Sequence, residues 1–560
     1  MKSVFTTLLV TSVAVLMLCF FPMRSYAQDT LEVPNQSGGQ PVFLNNAILG
    51  DTLSNGQPVN PNRVYRLARG LVYYHNASIP LRRNVVILAN ATPAATKPPV
   101  IAPAILQNGS TAPAPLFQFF KNATLKNLYI TRIRPDTVGS FLDYSQAIVL
   151  SADSTRLIVQ GCVFDGWGGG MLEKDGVFNK IYISDCVIRN GFNGGGSWFG
   201  GNVFLSVASP GDTVVMVNNT EFNCGSYLFV PNRHITTYER VEHNTVFTTH
   251  VNPLYAPYLT NCVIRDNIFW GTLAMGQSQA EITGGWFDWS GAPSSTVSID
   301  TLPTTMKTQY GITEASRGVV VTNNVYFWPQ AFYDAWHNVY KDTLTPPVWM
   351  NTRTAGMFAD AVNYPNLWDA SNQNIDPGFN ATMVNTLVPA LLAYCQTNRG
   401  NTTGPRQHFY NPGGGSLFNV AWPLPENLAY SNVALQTAGH DGFPVGDLNW
   451  FPAAKAAWLL TDVNSNGNGA LPEKFELSQN YPNPFNPSTN IEFSLPRSAK
   501  VSLVVYDLLG RQVATLINGE ARGAGKHEVK FSSTGLATGV YFYRLTADTW
   551  TATMKMAVLK

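Results

Sequence analysis

A short strand, a polar turn and a second short strand recur six times between Arg156 and Pro329. The copies are "RLIVQGCVFDGW", "KIYISDCVIRNGF", "VVMVNNTEFNCGS", "ERVEHNTVFTTH", "CVIRDNIFWG" and "VVVTNNVYFWP". With Phe164, Ile188, Phe222, Val246 and Phe269 as anchors, successive copies start 24, 34, 24 and 23 residues apart. Units of this size, each too small to bury its own apolar face, stack into a solenoid. A β-sandwich would show hairpin turns such as Asn-Gly between the strands, and these are sparse here.

Strand alternation assigns faces. Val159, Cys162 and Phe164 point inward, and Ile183, Cys186 and Ile188 match them. Val217, Thr220 and Phe222 follow, then Val241, Asn244 and Val246, then Ile264, Asn267 and Phe269. Cys162, Cys186, Thr220, Asn244 and Asn267 thus form an inner column at the turn, where stacked amides bond from coil to coil. Neighbouring coils lie about 4.8 Å apart. Cys162 and Cys186 are therefore near enough to bridge, although a stack of buried thiols is the favoured reading. The outward columns read Gln160, Ser184, Asn218, Glu242, Arg265; then Gly161, Asp185, Asn219, His243, Asp266; then Val163, Val187, Glu221, Thr245, Ile268.

These repeats resemble the right-handed parallel β-helix family, which includes pectate-lyase-like proteins. The resemblance implies an all-β fold and a polysaccharide partner. Charged residues are only 13% of the chain, against about 25% in an average soluble domain. Six charged side chains on one face therefore stand out. A lyase for uronic polysaccharides needs acidic groups to hold Ca²⁺ and a base for the proton alpha to the carboxylate. Asp185, Glu221 and Asp266 are the candidate ion ligands. His243 or Arg265 is the candidate base, His243 starting nearer neutral pH and Arg265 suited to gripping a carboxylate. Trp167, Trp198 and Glu242 are candidates for holding sugar. The chain departs from the family in its signatures: it has no RxPxxR, no WxDH-type segment and no adjacent Asp-Asp pair. A non-catalytic adhesin or carbohydrate-binding scaffold is the competing reading. A net charge of +1 offers no field for nucleic acid.

"NQNIDPGF", from Asn372, resembles a coil ending common in β-helix proteins, and helical spacing follows, with Leu387, Leu391 and Leu392 on one face. "AGHDGFPVGDLNWF" resembles the Gly-x-Pro-x-Gly-Asp-Pro-x-Trp close of bacterial β-helices, with Leu448 where Pro is usual. Leu387 to Trp458 is expected to cap the last open strand edges, with His440 and Asp441 as turn residues.

The chain ends are more explicit. "MKSVFTTLLVTSVAVLMLCFFPMRSYAQ" reads as a secretory signal peptide over 1–27, cleaved after Ala27, and no later run is long enough to span a membrane. Cys19 leaves with it, so five of the six cysteines stay, without a CxxC pair. The β-helix occupies 28–460 and a linker 461–473. Asp462 to Glu473 fits the EF-hand spacing, but only two carboxylates are present and no exit helix follows, so a linker is expected. Over 474–560, "QNYPNPFNP", Tyr506-Asp507-x-x-Gly510-Arg511, Gly539-Val540-Tyr541 and Lys555-Met556 resemble the type A C-terminal sorting domain of type IX secretion. That resemblance implies a small Ig-like β-sandwich, the type IX machinery as partner, a Bacteroidetes-like Gram-negative origin, and delivery to the outer surface. The prolines fix φ and withhold donors, which separates this unit from the solenoid.

Overall fold

The computed structural model describes residues 29–559, apart from 38, 54–58, 61–62, 137–145, 193–202, 207–212, 226–227, 231–234, 237, 285–291, 341–346, 399–407, 463–474, 496–498, 523–524 and 549. The signal segment, Trp198 and the EF-hand-like stretch after Asp462 lie outside the described residues.

Three parallel sheets form the body. The first has eleven strands, from Thr30–Glu32 to Leu367–Ala370. The second has ten, from Val72–His75 to Gln373–Asn374, and the third has six, from Ile79–Leu81 to Phe229–Val230. From Ala123–Lys126 onward, each coil contributes one strand to the first sheet, makes a two-residue turn and continues into the second. This is the expected parallel β-helix. Leu157, Val159, Cys162 and Phe164 are fully buried in a core shared with Ile181, Ile183, Cys186 and Ile188. All five described cysteines are buried free thiols.

The turn has a fixed two-residue design. Its first residue is left-handed in coil after coil: φ is 57° at Asn127, 63° at Gly161, 58° at Asp185, 56° at Asn218, 51° at His243, 57° at Asp266 and 56° at Asn323. That region favours Gly, Asn, Asp and His. Its second residue faces inward and from Asn219 onward builds an amide ladder. Asn219 Nδ2 donates to Asn244 Oδ1 (2.9 Å), Asn244 to Asn267 (3.0 Å), Asn267 to Asn324 (2.9 Å) and Asn324 to Asn372 (2.9 Å). The inward amides of the ladder thereby pair with one another.

One coil departs from the expected register. Ile188 pairs with Glu221, not Phe222, and Ser184 with Val217. Asn219, not Thr220, therefore occupies the ladder, and Asn218, not Asn219, is the turn residue. Anchoring on Phe222 shifts this coil by one residue, and with a period of two that turns every side chain over. Phe222 and Thr220 face outward, and Glu221 faces into the core.

The arm is not an end cap. The second sheet presents an apolar outer face, with Phe222, Phe247, Ile268, Trp270 and Val325 buried beneath Phe379, Met383, Leu387, Leu391, Leu428 and Tyr430. Leu417 and Phe418 lie farther back, against Val100, Ala102, Tyr129 and Val163. The described residues of 379–458, the arm, thus run laterally along the helix, because a solenoid face this apolar must be covered. A buried ion triad pins the middle: Arg189 reaches Asp165 (2.8 Å) and the arm's Glu426 (2.9 Å).

The C-terminal unit is a sandwich of antiparallel sheets. Glu476–Leu477, Ser488–Leu495 and Gly525–Ser532 form one sheet. Gln512–Arg522, Ala499–Tyr506, Gly539–Ala547 and Trp550–Val558 form the other. Its core runs from Leu477 to Val558 and shares no residue with the solenoid cores. The proline-rich lead-in is stitched into it: Phe485 is buried, the Phe485 N–H donates to the Ala557 carbonyl (3.0 Å), and the Asn480 N–H donates to Tyr543 Oη (2.8 Å).

Candidate functional site

The left-handed column carries Asp185, His243 and Asp266 of the charged residues singled out from sequence, and the end of the arm docks onto it. Asp266 is fully buried and holds His440 twice: its Oδ1 accepts from the His440 backbone N–H (2.8 Å) and its Oδ2 bonds His440 Nδ1. Buried His243 places Nε2 3.1 Å from Asp441 Oδ2 and 3.7 Å from Asp266 Oδ2. The Trp458 indole N–H donates to the same Asp441 oxygen (3.0 Å). Glu242 is clasped by Arg240 (2.7 and 2.9 Å) and Arg265 (2.9 Å). Lys455 of the arm bonds Asp185. The His440 and Asp441 side chains are 28% and 19% exposed, so the cluster opens to solvent through the arm.

Burial pulls the His243 pKa down, but the Asp441 bond and the charges of Asp266 and Glu242 outweigh it and raise it above the usual imidazole value. Burial would raise Glu242, yet the guanidinium groups of Arg240 and Arg265 hold it well below the carboxylate range. Asp441 is likewise lowered: burial raises it, and the His243 bond together with the charges of His243 and His440 outweighs that.

Three expected roles change. Glu221 is fully buried inside the solenoid, with neither carboxyl oxygen hydrogen-bonded, so it cannot join Asp185 and Asp266 on an outer ion. With Glu221 inside the solenoid and Asp185 engaged by Lys455, the expected Ca²⁺ ligand set of Asp185, Glu221 and Asp266 does not come together. Trp167 is 1% exposed, packed near Phe164, and offers no face to a sugar. His243 has no exposed atom with which to take a substrate proton. His440 and Asp441, read from sequence as turn residues, are instead the solvent-facing part of the cluster. Their only sequence signal is two chemistry-bearing residues together in a chain poor in charge; nothing local tells that His440 meets Asp266.

Asp447 completes the docking. It is buried, its Oδ2 accepts from Thr220 Oγ1 (2.7 Å), and its Oδ1 accepts from the Asn449 N–H (2.9 Å). Burial pushes its pKa up to about 7, against smaller lowering by these bonds and by Lys455. The folded state therefore binds this proton more tightly than the unfolded chain does. Its contribution to stability is fully present below about pH 4 and is lost as pH rises to about 7. Urea midpoints of wild type should fall over that window, and Asp447→Asn should flatten this part of the profile and be the more stable protein at pH 8. Parallel profiles for the two proteins would contradict this assignment.

A second feature is the outer face of the first sheet, which the arm covers at Val215 and Val217, where Leu448, Trp458 and Phe443 pack. Its outward strand positions carry Arg66, Lys126, Arg156, Lys180, Arg240 and Arg265. The acidic outward positions are Glu32, paired with Arg66, and Glu242. The Arg156 guanidinium lies 5.3 Å from the Tyr182 ring centre, Trp368 is 46% exposed farther along, and Asn84, Asn122, Thr124 and Arg156 line a shallow depression.

Residues 479–559 match the family described as the secretion system C-terminal sorting domain. No curated protein matches the chain. Among the described residues no helix is long and apolar enough to cross a membrane. The C-terminal sandwich is a type IX sorting domain, and the chain that carries it is a secreted or outer-surface protein.

Proposed function

We propose that the protein is a non-catalytic scaffold that holds polysaccharide at the cell surface, with the outer face of the first sheet as the binding surface and acidic glycans as its ligands. The observation that carries this reading is the set of cationic side chains, Lys126, Arg156 and Lys180 among them, with Tyr182 and amides, displayed over successive coils of the face before the arm packs on it at Val215 and Val217. Guanidinium and ammonium groups pair with carboxylate or sulfate, and a ring edge or face offers apolar area to a sugar. The coil repeat of about 4.8 Å close to a sugar-sized step suits a chain laid along the solenoid. The lyase alternative loses its base in His243 and its ion ligands in Glu221 and Asp185. In that alternative His440, oriented by Asp266, would have to replace them.

Affinity electrophoresis of the tag-free protein in gels containing polygalacturonate, alginate or neutral glucan tests this. Retardation is expected in the two acidic gels, weakening with salt as ion pairs are screened. Arg156→Ala with Lys180→Ala should weaken it about tenfold, the loss of two solvent-exposed ion pairs worth up to about 1 kcal/mol each. Equal retardation in neutral glucan would remove the acidic class. Unsaturated products absorbing in the ultraviolet, lost in His440→Ala, would replace the scaffold by the lyase.

A further inference from the structure

We propose that Glu242, Asp266, His440 and Asp441 bind one divalent cation of the zinc class, and that the ion fastens the arm to the solenoid. Each of these residues brings one ligand atom, and all four atoms lie within 4.8 Å of one another. Around an ion held at about 2.1 Å, tetrahedral ligand atoms stand about 3.4 Å apart. Closing the set therefore takes shifts of about an ångström, the freedom of two partly exposed side chains.

The donor set decides the metal. An imidazole nitrogen among carboxylates suits zinc and its neighbours, whereas Ca²⁺ takes oxygen alone. Two ligands come from adjacent coils of the solenoid and two are consecutive in the arm, so the ion would bridge segments 174 residues apart in the Asp266–His440 pair. A surrounding shell already orients them. Arg240 and Arg265 hold Glu242, the His440 backbone N–H holds Asp266, and Trp458 Nε1–H and His243 Nε2 hold Asp441. Ligating carboxylates are characteristically hydrogen-bonded in this way, and each carboxylate oxygen keeps a further lone pair for the ion. Three of the four ligands are carboxylates, which offer anionic oxygen to the cation. His440 and Asp441 are the partly exposed members and give the ion its path in.

The test uses the tag-free full chain, loaded with Zn²⁺, dialysed against metal-free buffer and assayed for bound metal. One Zn²⁺ per chain is expected, retained against millimolar Ca²⁺, with its removal by chelator lowering the thermal midpoint. His440→Ala and Asp441→Asn should each lower Zn²⁺ affinity by about tenfold or more, with the far-ultraviolet spectrum unchanged because both side chains reach solvent. Lys455→Ala breaks the arm's ion pair with Asp185 without touching a ligand, and should keep the stoichiometry. Wild-type protein that emerges metal-free overturns the proposal whether or not the variants fold. So does a folded His440→Ala that retains Zn²⁺ as tightly as wild type, which would leave the cluster a polar clasp alone.

Discussion

A chain truncated before Phe475 is expected to lose its exposure on the cell surface and accumulate in the periplasm with its solenoid folded. The sorting match spans residues 479–559. The truncation removes the whole sandwich core, Leu477 to Val558, and no residue of the solenoid or arm cores. Loss of one unit should therefore leave the thermal transition of the other in place. Protease shaving of intact cells, with and without the truncation, measures the effect. A truncated protein shaved as fast as the full chain would show that the tail does not carry the export signal. A truncated protein that fails to fold would show that the two units share their stability.

Replacing Glu221 by Met should stabilise the solenoid, by ~1 to 3 kcal/mol. Glu221 stands in an inward column between Ile188 and Val246, is fully buried, and has no hydrogen bond on either oxygen. Burial alone raises its pKa well above the usual carboxylate value. Met has similar volume and removes the desolvation cost. The gain should be largest near neutral pH and shrink towards pH 4, where the unfolded chain also protonates. Ile188→Asp is the complementary change. It sets a second carboxyl opposite Glu221, about 4.8 Å away, and should lower the urea midpoint sharply or prevent folding. An unstable Glu221→Met protein would show that the acid has a partner the fold requires.

Several features were legible in the amino-acid order alone. The repeat of strand, turn and strand identified the solenoid, since short units spaced at 23 or 24 residues can bury their apolar faces only by stacking. The inward columns through Phe164, Ile188 and Val246 followed from alternation, and their burial bears this out. The proline-rich motif and the strands after it identified the sorting domain. These are local signals, written in period, propensity and turn chemistry.

What only the tertiary structure decided is which residues meet. "VNNTEFN" has two adjacent asparagines, and either could occupy the ladder. The hydrogen bonds of Asn219 to its neighbours select one and send Glu221 inward. The charged types at Asp185, His243 and Asp266 suggested an open catalytic face. Their left-handed backbone accounts for the choice of residue, and the arm covers them. The arm's path is a long-range outcome: it lies where the second sheet's apolar outer face needs cover, and this brings His440 and Asp441 onto Asp266 and His243. Periodicity reports on neighbours within a coil, whereas contacts between residues some two hundred positions apart depend on the summed burial of a whole face.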